Sequence, residues 1–142
     1  MKSMNSQSGQ SLIEAVIAIS IFVIGTVTIG FLVIDANVST RQGSERTQAI
    51  LLSKEGLEAA RSIRDNDFTN LTTGMHGIAL SSNRWIFSGT SDIQDQFMRQ
   101  LTISDVESDI KKIKSVVSWQ FSESRESSVT LVQYFTDWQK DK

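Results

Sequence analysis

Residues 9–34 read GQSLIEAVIAISIFVIGTVTIGFLVI. From Ala15 to Ile34 no side chain is charged, twenty positions in succession. At 1.5 Å per helical residue they span about 30 Å, the thickness of a bilayer's hydrocarbon core. A cleavable secretory signal has a shorter apolar region, about 7–15 residues, closed by a small-residue cleavage site. The segment that follows here, IDANVSTRQ, is not such a site, so the run reads as a stable membrane helix. Glu14 stands immediately ahead of it. A carboxylate in a membrane segment costs a few kcal/mol at the centre and less at the edge, and it calls for a partner. Positions 10, 11, 17 and 18, within one helical turn of Glu14, are Gln, Ser, Ile and Ala, so no cation is in reach. A cut after Gly9 supplies one. It gives Gln10 a new amino group, and Gln10 and Glu14 are i,i+4 neighbours on a helix. The amino group of a neighbouring molecule serves equally well. Gly9 suits such a cut, because a residue without Cβ lets a protease approach the backbone.

The bulk of the chain narrows the rest. Its 142 residues carry a formal net charge of −2, with no Cys and no Pro. Roughly 100 residues outside the apolar region can form one small core. No basic cluster stands out, which argues against nucleic acid as a partner of the domain, since phosphate binding needs several Lys or Arg together. Without Cys there is no disulfide framework and no thiolate metal site. Lys2 and the chain's amino group precede the apolar run, and Asp35, Arg41, Glu45 and Arg46 follow it. That bias puts the N-terminus in the cytoplasm and the C-terminal part outside. Ser20, Gly25, Thr26, Thr28 and Gly30 interrupt the run; small residues let helices approach closely, and hydroxyls bond between helices or back to their own chain.

Beyond the run, NVSTRQGSERTQ (residues 37–48) is polar and continues the helix, with fraying expected near Gly43. Then Ala49, Ile50, Leu52, Gly56, Leu57, Ala60 and Ile63 fall in one arc at 100° per residue. Lys54, Glu55, Glu58, Arg61 and Asp65 lie mostly opposite and read as a solvated face. LTTGMHGIALSSN (residues 71–83) is turn-rich, and RWIFS is a short strand. Phe97, Leu101 and Ile103 alternate. Ile113, Val117, Trp119 and Phe121 share one strand face, as do Val129, Leu131 and Phe135, with the polar SESRES between them suiting an antiparallel hairpin. A long helix followed by an antiparallel sheet is an α+β order. Trp85, Trp119 and Trp138 are expected in the core or at a sheet edge.

Little of the sequence reads as catalytic. His76 is the only histidine, lies between Gly74 and Gly77 in an expected loop, and has no Cys or evident base as partner. SGQSLIE leads into a membrane helix, so it is no nucleophile elbow. Asp105, Glu107 and Asp109, and Asp65 with Asp67, offer oxygens, but neither set has the glycine and final Glu of a calcium loop. Both read as solvated loop ends. NVS and NLT fit the short acceptor pattern for glycosylation. No enzyme, no metal and no cofactor is expected.

GQSLIEAVIAI resembles the N-terminal signature of type IV pilins and the related pseudopilins of type II secretion. The resemblance is close over residues 9–34. Over about 49–65 it rests on SKEGLEAAR, which is loosely similar to a stretch of minor pilins and minor pseudopilins. Beyond that it rests on layout alone. It implies that a prepilin peptidase cuts after Gly9 and methylates Gln10, that Leu12 and Ile13 are the apolar pair ahead of the family glutamate, and that Glu14 forms a salt bridge in filament assembly. The implied partners are the peptidase/methyltransferase, other pilin or pseudopilin subunits, an inner-membrane assembly platform and the bilayer. Two positions depart from the family pattern: Gln10 stands where Phe is usual, and the apolar helix lacks the Pro many pilins carry. Gly25 and Gly30 soften the helix instead, each by about 1 kcal/mol relative to Ala. The expected organisation is a leader over residues 1–9, a transmembrane and filament-core helix over 10–36 and an extracytoplasmic α+β domain over 37–142. The expected function is a structural subunit, of minor type, in a type IV pilus or secretion-type filament. The competing class is a single-pass anchor that presents a binding domain and never assembles.

Overall fold

The computed structural model describes residues 7–122 and 125–138, with side chains from residue 11 onward. Residues 1–6 of the expected leader, including Lys2, lie outside the described residues. The fold is α+β: one helix, α1 (Gln7–Asn66), a short 3-10 turn (Phe68–Asn70), and strands β1 (Gly74–Ser81), β2 (Arg84–Ser88), β3 (Asp92–Gln94), β4 (Phe97–Glu107), β5 (Ile110–Ser122) and β6 (Arg125–Thr136). The chain divides at residue 41 into two compact units. The first is the N-terminal part of α1. The second holds residues 42–142.

In the second unit α1 packs its apolar arc on an antiparallel sheet of order β2-β1-β4-β5-β6, with β3 also paired to β4. β1 and β3 share one edge of β4: Asp92–Gln94 pairs with Phe97–Arg99, and Gly74–His76 with Leu101–Ile103. Leu57, Ala59, Ala60 and Ile63 meet Leu101, Ile103, Ile113 and Phe135 in one core cluster. Ala49 and Leu52 meet Phe97, Val117, Trp119 and Val129 in a second. Small residues bring the helix close to the sheet. A Cβ on Gly56 would lie 3.1 Å from Ser115 Oγ and 3.1 Å from Arg99 Cδ. Ser53 Oγ donates to Ser115 O at 3.2 Å. Burying this arc is the main stabilising contribution, at about 25 cal/mol per Å² of apolar surface.

Several local expectations need revision. The helix does not fray at Gly43; it is continuous from Gln7 to Asn66. One glycine costs about 1 kcal/mol in a helix interior, and the packed turns from Glu45 onward outweigh that. Helix α1 stops where Asp67 turns extended (φ −164°) and its side chain accepts from Thr69 N, capping the 3-10 turn. The stretch read as turn-rich contains β1, paired to β2 through a tight hairpin in which Ser82 (φ 49°) and Asn83 (φ 61°) both sit in the left-handed region. That is the primed two-residue turn favoured between twisted strands. Gly77 lies inside β1, and the position needs glycine because a Cβ there would fall 2.5 Å from Ser91 C and 2.6 Å from Ser88 O. Its two glycines disguised the strand. His76 is therefore on a strand, not in a loop. Glu55, expected on a solvated face, pairs with the buried Arg99. In the β5–β6 hairpin, Ser122 pairs with Arg125, and residues 123–124 lie outside the described residues.

Candidate functional site

The N-terminal unit offers one functional side chain, Glu14. The helix around it is long and apolar enough to cross a membrane: its best window has a mean hydropathy of 2.7, and none of that window is buried. Leu12, Ile13, Val16, Ile17, Phe22, Phe31 and Leu32 are all more than half exposed. The polar interruptions are masked. Ser20 Oγ donates to Val16 O at 2.7 Å, Thr26 Oγ1 to Phe22 O at 2.9 Å and Thr28 Oγ1 to Ile24 O at 2.8 Å. Each hydroxyl thereby bonds back to its own helix, one of the two outcomes the sequence left open. No atom lies within 4 Å of a Cβ built on Gly25 or Gly30.

Glu14 has no such relief. It sits among Ile13, Ile17, Ala18 and Ile21. Among the described residues nothing donates a hydrogen bond to its carboxylate and no cation pairs with it. Gly9 and Gln10 belong to the first turns of α1, ahead of Ser11. Four helical steps lead from Gln10 to Glu14, about 6 Å along the axis. An amino group at residue 10 is thus within side-chain reach of Glu14, whereas no cationic side chain of the described residues is.

The comparison with known families falls on this stretch. Residues 4–30 match the model of the prokaryotic N-terminal methylation motif. The chain carries the type IV pilin and pseudopilin signature. No curated protein and no solved structure matches it. The signature and the exposed apolar helix together describe a prepilin-type, membrane-anchored chain that crosses the bilayer once. The signature belongs to a structural family, not a catalytic one.

The other sequence candidates have structural partners. Asp105 accepts from Lys111 Nζ at 2.7 Å and from Thr73 Oγ1 at 2.7 Å, and these bonds hold its carboxyl below the usual carboxylate value. Asp67 is held low by the Thr69 hydroxyl and amide. Asp65 accepts from Arg64. His76 Nε2 lies 2.8 Å from Thr72 O, to which it donates, and the ring stacks on Phe87 at 4.7 Å. Among the described residues no group of three or more His, Asp or Glu side chains is placed to hold a metal.

Two polar features escaped the sequence reading. Arg99 is buried and joins β3, β4 and α1: its Nη2 donates to Asp92 Oδ2 at 2.8 Å, and its Nη1 to Leu52 O at 2.9 Å and Glu55 Oε2 at 3.1 Å. Glu45 is also buried, and Trp119 Nε1 donates to its Oε2 at 3.1 Å. The available signal was a charge at an inward position of an alternating strand, Arg99 between Phe97 and Leu101.

Proposed function

We propose that this chain is a structural subunit, of minor type, of a type IV pilus or type II secretion-type filament. Prepilin peptidase cuts between Gly9 and Gln10, and Gln10 is N-methylated. Residues 1–9 are the leader, 10–36 the membrane and filament-core helix, and 37–142 the extracytoplasmic domain. Before assembly the subunit rests in the inner membrane with its N-terminus in the cytoplasm. An assembly platform then lifts it into a bundle of apolar helices contributed by other subunits. The peptidase, the platform, the sister subunits and the bilayer are its partners.

One observation carries this reading: an exposed carboxylate with no partner among the described residues heads an exposed apolar helix, inside the methylation motif. A plain anchor gains nothing from that carboxylate. A subunit that docks beside others uses it, because the amino group created at residue 10, on the same chain or a neighbour, completes a charge pair in a poorly hydrated bundle. Removing one member of such a pair leaves the other charge stranded, at a cost of about 3–5 kcal/mol. Glu14→Gln leaves the cleavage site intact and is easier to hold in lipid. The variant should therefore be inserted and processed normally but fall by at least about tenfold in sheared filaments. Wild-type levels of Glu14→Gln in the sheared fraction would remove the charge pair from the account.

A further inference from the structure

A cleft of ≈ 580 Å³ opens between the last turns of α1 and strand β2. The volume is that of a small-molecule pocket, about 300–1,000 Å³. Its lining mixes two kinds of surface. Trp85 and Phe87 supply aromatic faces; Ser62, Asn66 and Asn70 supply a hydroxyl and two amides; Arg84 supplies a cation, and among the described residues no carboxylate lines the cleft. The aromatic wall is firmly set. Both rings are half-buried against the core cluster of Ile63, Leu71 and Ile78. Phe87 is further braced by the His76 ring, which Thr72 O holds in place. Apart from Thr72, whose hydroxyl lies 3.4 Å from His76 Nε2, the polar rim is free. Among the described residues, the side chains of Ser62, Asn66, Asn70 and Arg84 and the indole N–H of Trp85 make no hydrogen bond within the protein. Arg84 has no ion-pair partner there either.

A fixed aromatic face ringed by uncommitted amides fits a sugar ring. A pyranose has an apolar C–H face for the indole and a rim of hydroxyls that both donate and accept. An Asn amide also does both, so it can meet two adjacent hydroxyls. A guanidinium in a cleft without a carboxylate is matched by a planar carboxylate on the ligand, which it binds bidentately. A nucleic acid strand fits less well, since tracking a phosphate backbone needs several cations and the lining has one. We propose that this cleft binds a short saccharide bearing a carboxylate, with the ring on Trp85, its hydroxyls on Asn66 and Asn70, and its carboxylate on Arg84. The site is built only from residues 62–87, so it stands whether or not the chain assembles into a filament.

The test uses the full-length protein in a detergent without a sugar headgroup. It is titrated with digalacturonic acid, with lactose as neutral control and with hexathymidylate. Tryptophan fluorescence and saturation-transfer NMR give the readouts. Digalacturonic acid should bind saturably with a Kd in the millimolar range or tighter, about tenfold tighter than lactose. Arg84→Met should abolish that preference while leaving lactose binding unchanged. Asn66→Ala should weaken both sugars by about tenfold. Both replaced side chains are exposed and make no internal bonds, so melting curves should stay at the wild-type position. The proposal is overturned by an absence of saturable digalacturonate binding, by binding that survives both substitutions unchanged, or by hexathymidylate binding in preference to the sugars.

Discussion

Replacing Arg99 by Met tests how the helix is fastened to the sheet. Arg99 is 5% exposed and meets two carboxylates of different standing: the Asp92 side chain is 20% exposed and that of Glu55 39%. Its guanidinium faces Asp92 with two nitrogens, Nη2 at 2.8 Å and Nε at 3.2 Å. Met keeps the unbranched stem and its packing, so the loss is electrostatic. Removing one partner of a buried ion pair costs about 3–5 kcal/mol. Water still reaches part of Asp92, which also keeps the hydrogen bond donated by Ile78 N at 3.0 Å. The low end, about 3 kcal/mol, therefore applies. Glu55 is exposed enough that its pair contributes about 0–1 kcal/mol. For a domain near 100 residues, 1 kcal/mol moves Tm by about 4 °C. Arg99→Met should thus lower Tm by about 12 °C, and Glu55→Gln by less than about 4 °C. Thermal unfolding of the detergent-solubilised chain, followed by far-UV circular dichroism, measures both. If Arg99→Met melts within about 4 °C of wild type, or if Glu55→Gln costs as much, the buried pair with Asp92 is not what secures this contact.

Two further outcomes follow from the second unit. A truncated chain covering residues 37–142 should melt cooperatively with a mixed helix–strand spectrum, because its core clusters are built from residues 49–135 alone; a coil-like, non-cooperative profile would refute independent folding. The lowered Asp105 carboxyl sets a pH dependence: the folded state binds fewer protons than the unfolded state near the ordinary value of 3.8, so its stabilisation is full well above 3.8 and disappears as pH falls through the lower folded value. Asp105→Asn should therefore melt below wild type at neutral pH, and the gap should close on acidification; a gap that persists unchanged would mean that the ionised carboxylate is not the cause.

The parts of the fold that the sequence made legible are those where composition or period is unambiguous. Twenty uncharged residues after Glu14 admit a membrane helix and little else. The arc from Ala49 to Ile63 repeats at helical spacing because its whole face is buried. β4, β5 and β6 alternate because one face packs on α1. The illegible parts involve residues acting against type. Gly74 and Gly77 read as turn markers, yet Gly77 belongs to a strand crowded by the backbone of Ser88 and Ser91. Arg99 and Glu45 are charged residues turned inward. Arg99 is satisfied by Asp92 on the adjacent strand and by Glu55 on α1, and Glu45 by Trp119 far along the chain, so no helical or strand period announces them. The cleft at Trp85 is invisible for the same reason: Asn66, Asn70 and Arg84 meet only once the β1–β2 hairpin folds back beside α1. Glu14 was readable because the oddity is local, a charge where the flanking sequence has no partner.

The central claim is that the carboxylate at Glu14 awaits an amino group made at Gln10. The intact mass of the chain, purified from cells that contain a prepilin peptidase, tests it most directly. The account predicts the mass of residues 10–142 plus one methyl group, with the unprocessed mass restored when Gly9 is replaced by a bulky residue. A mature protein that still begins at Met1 would contradict it.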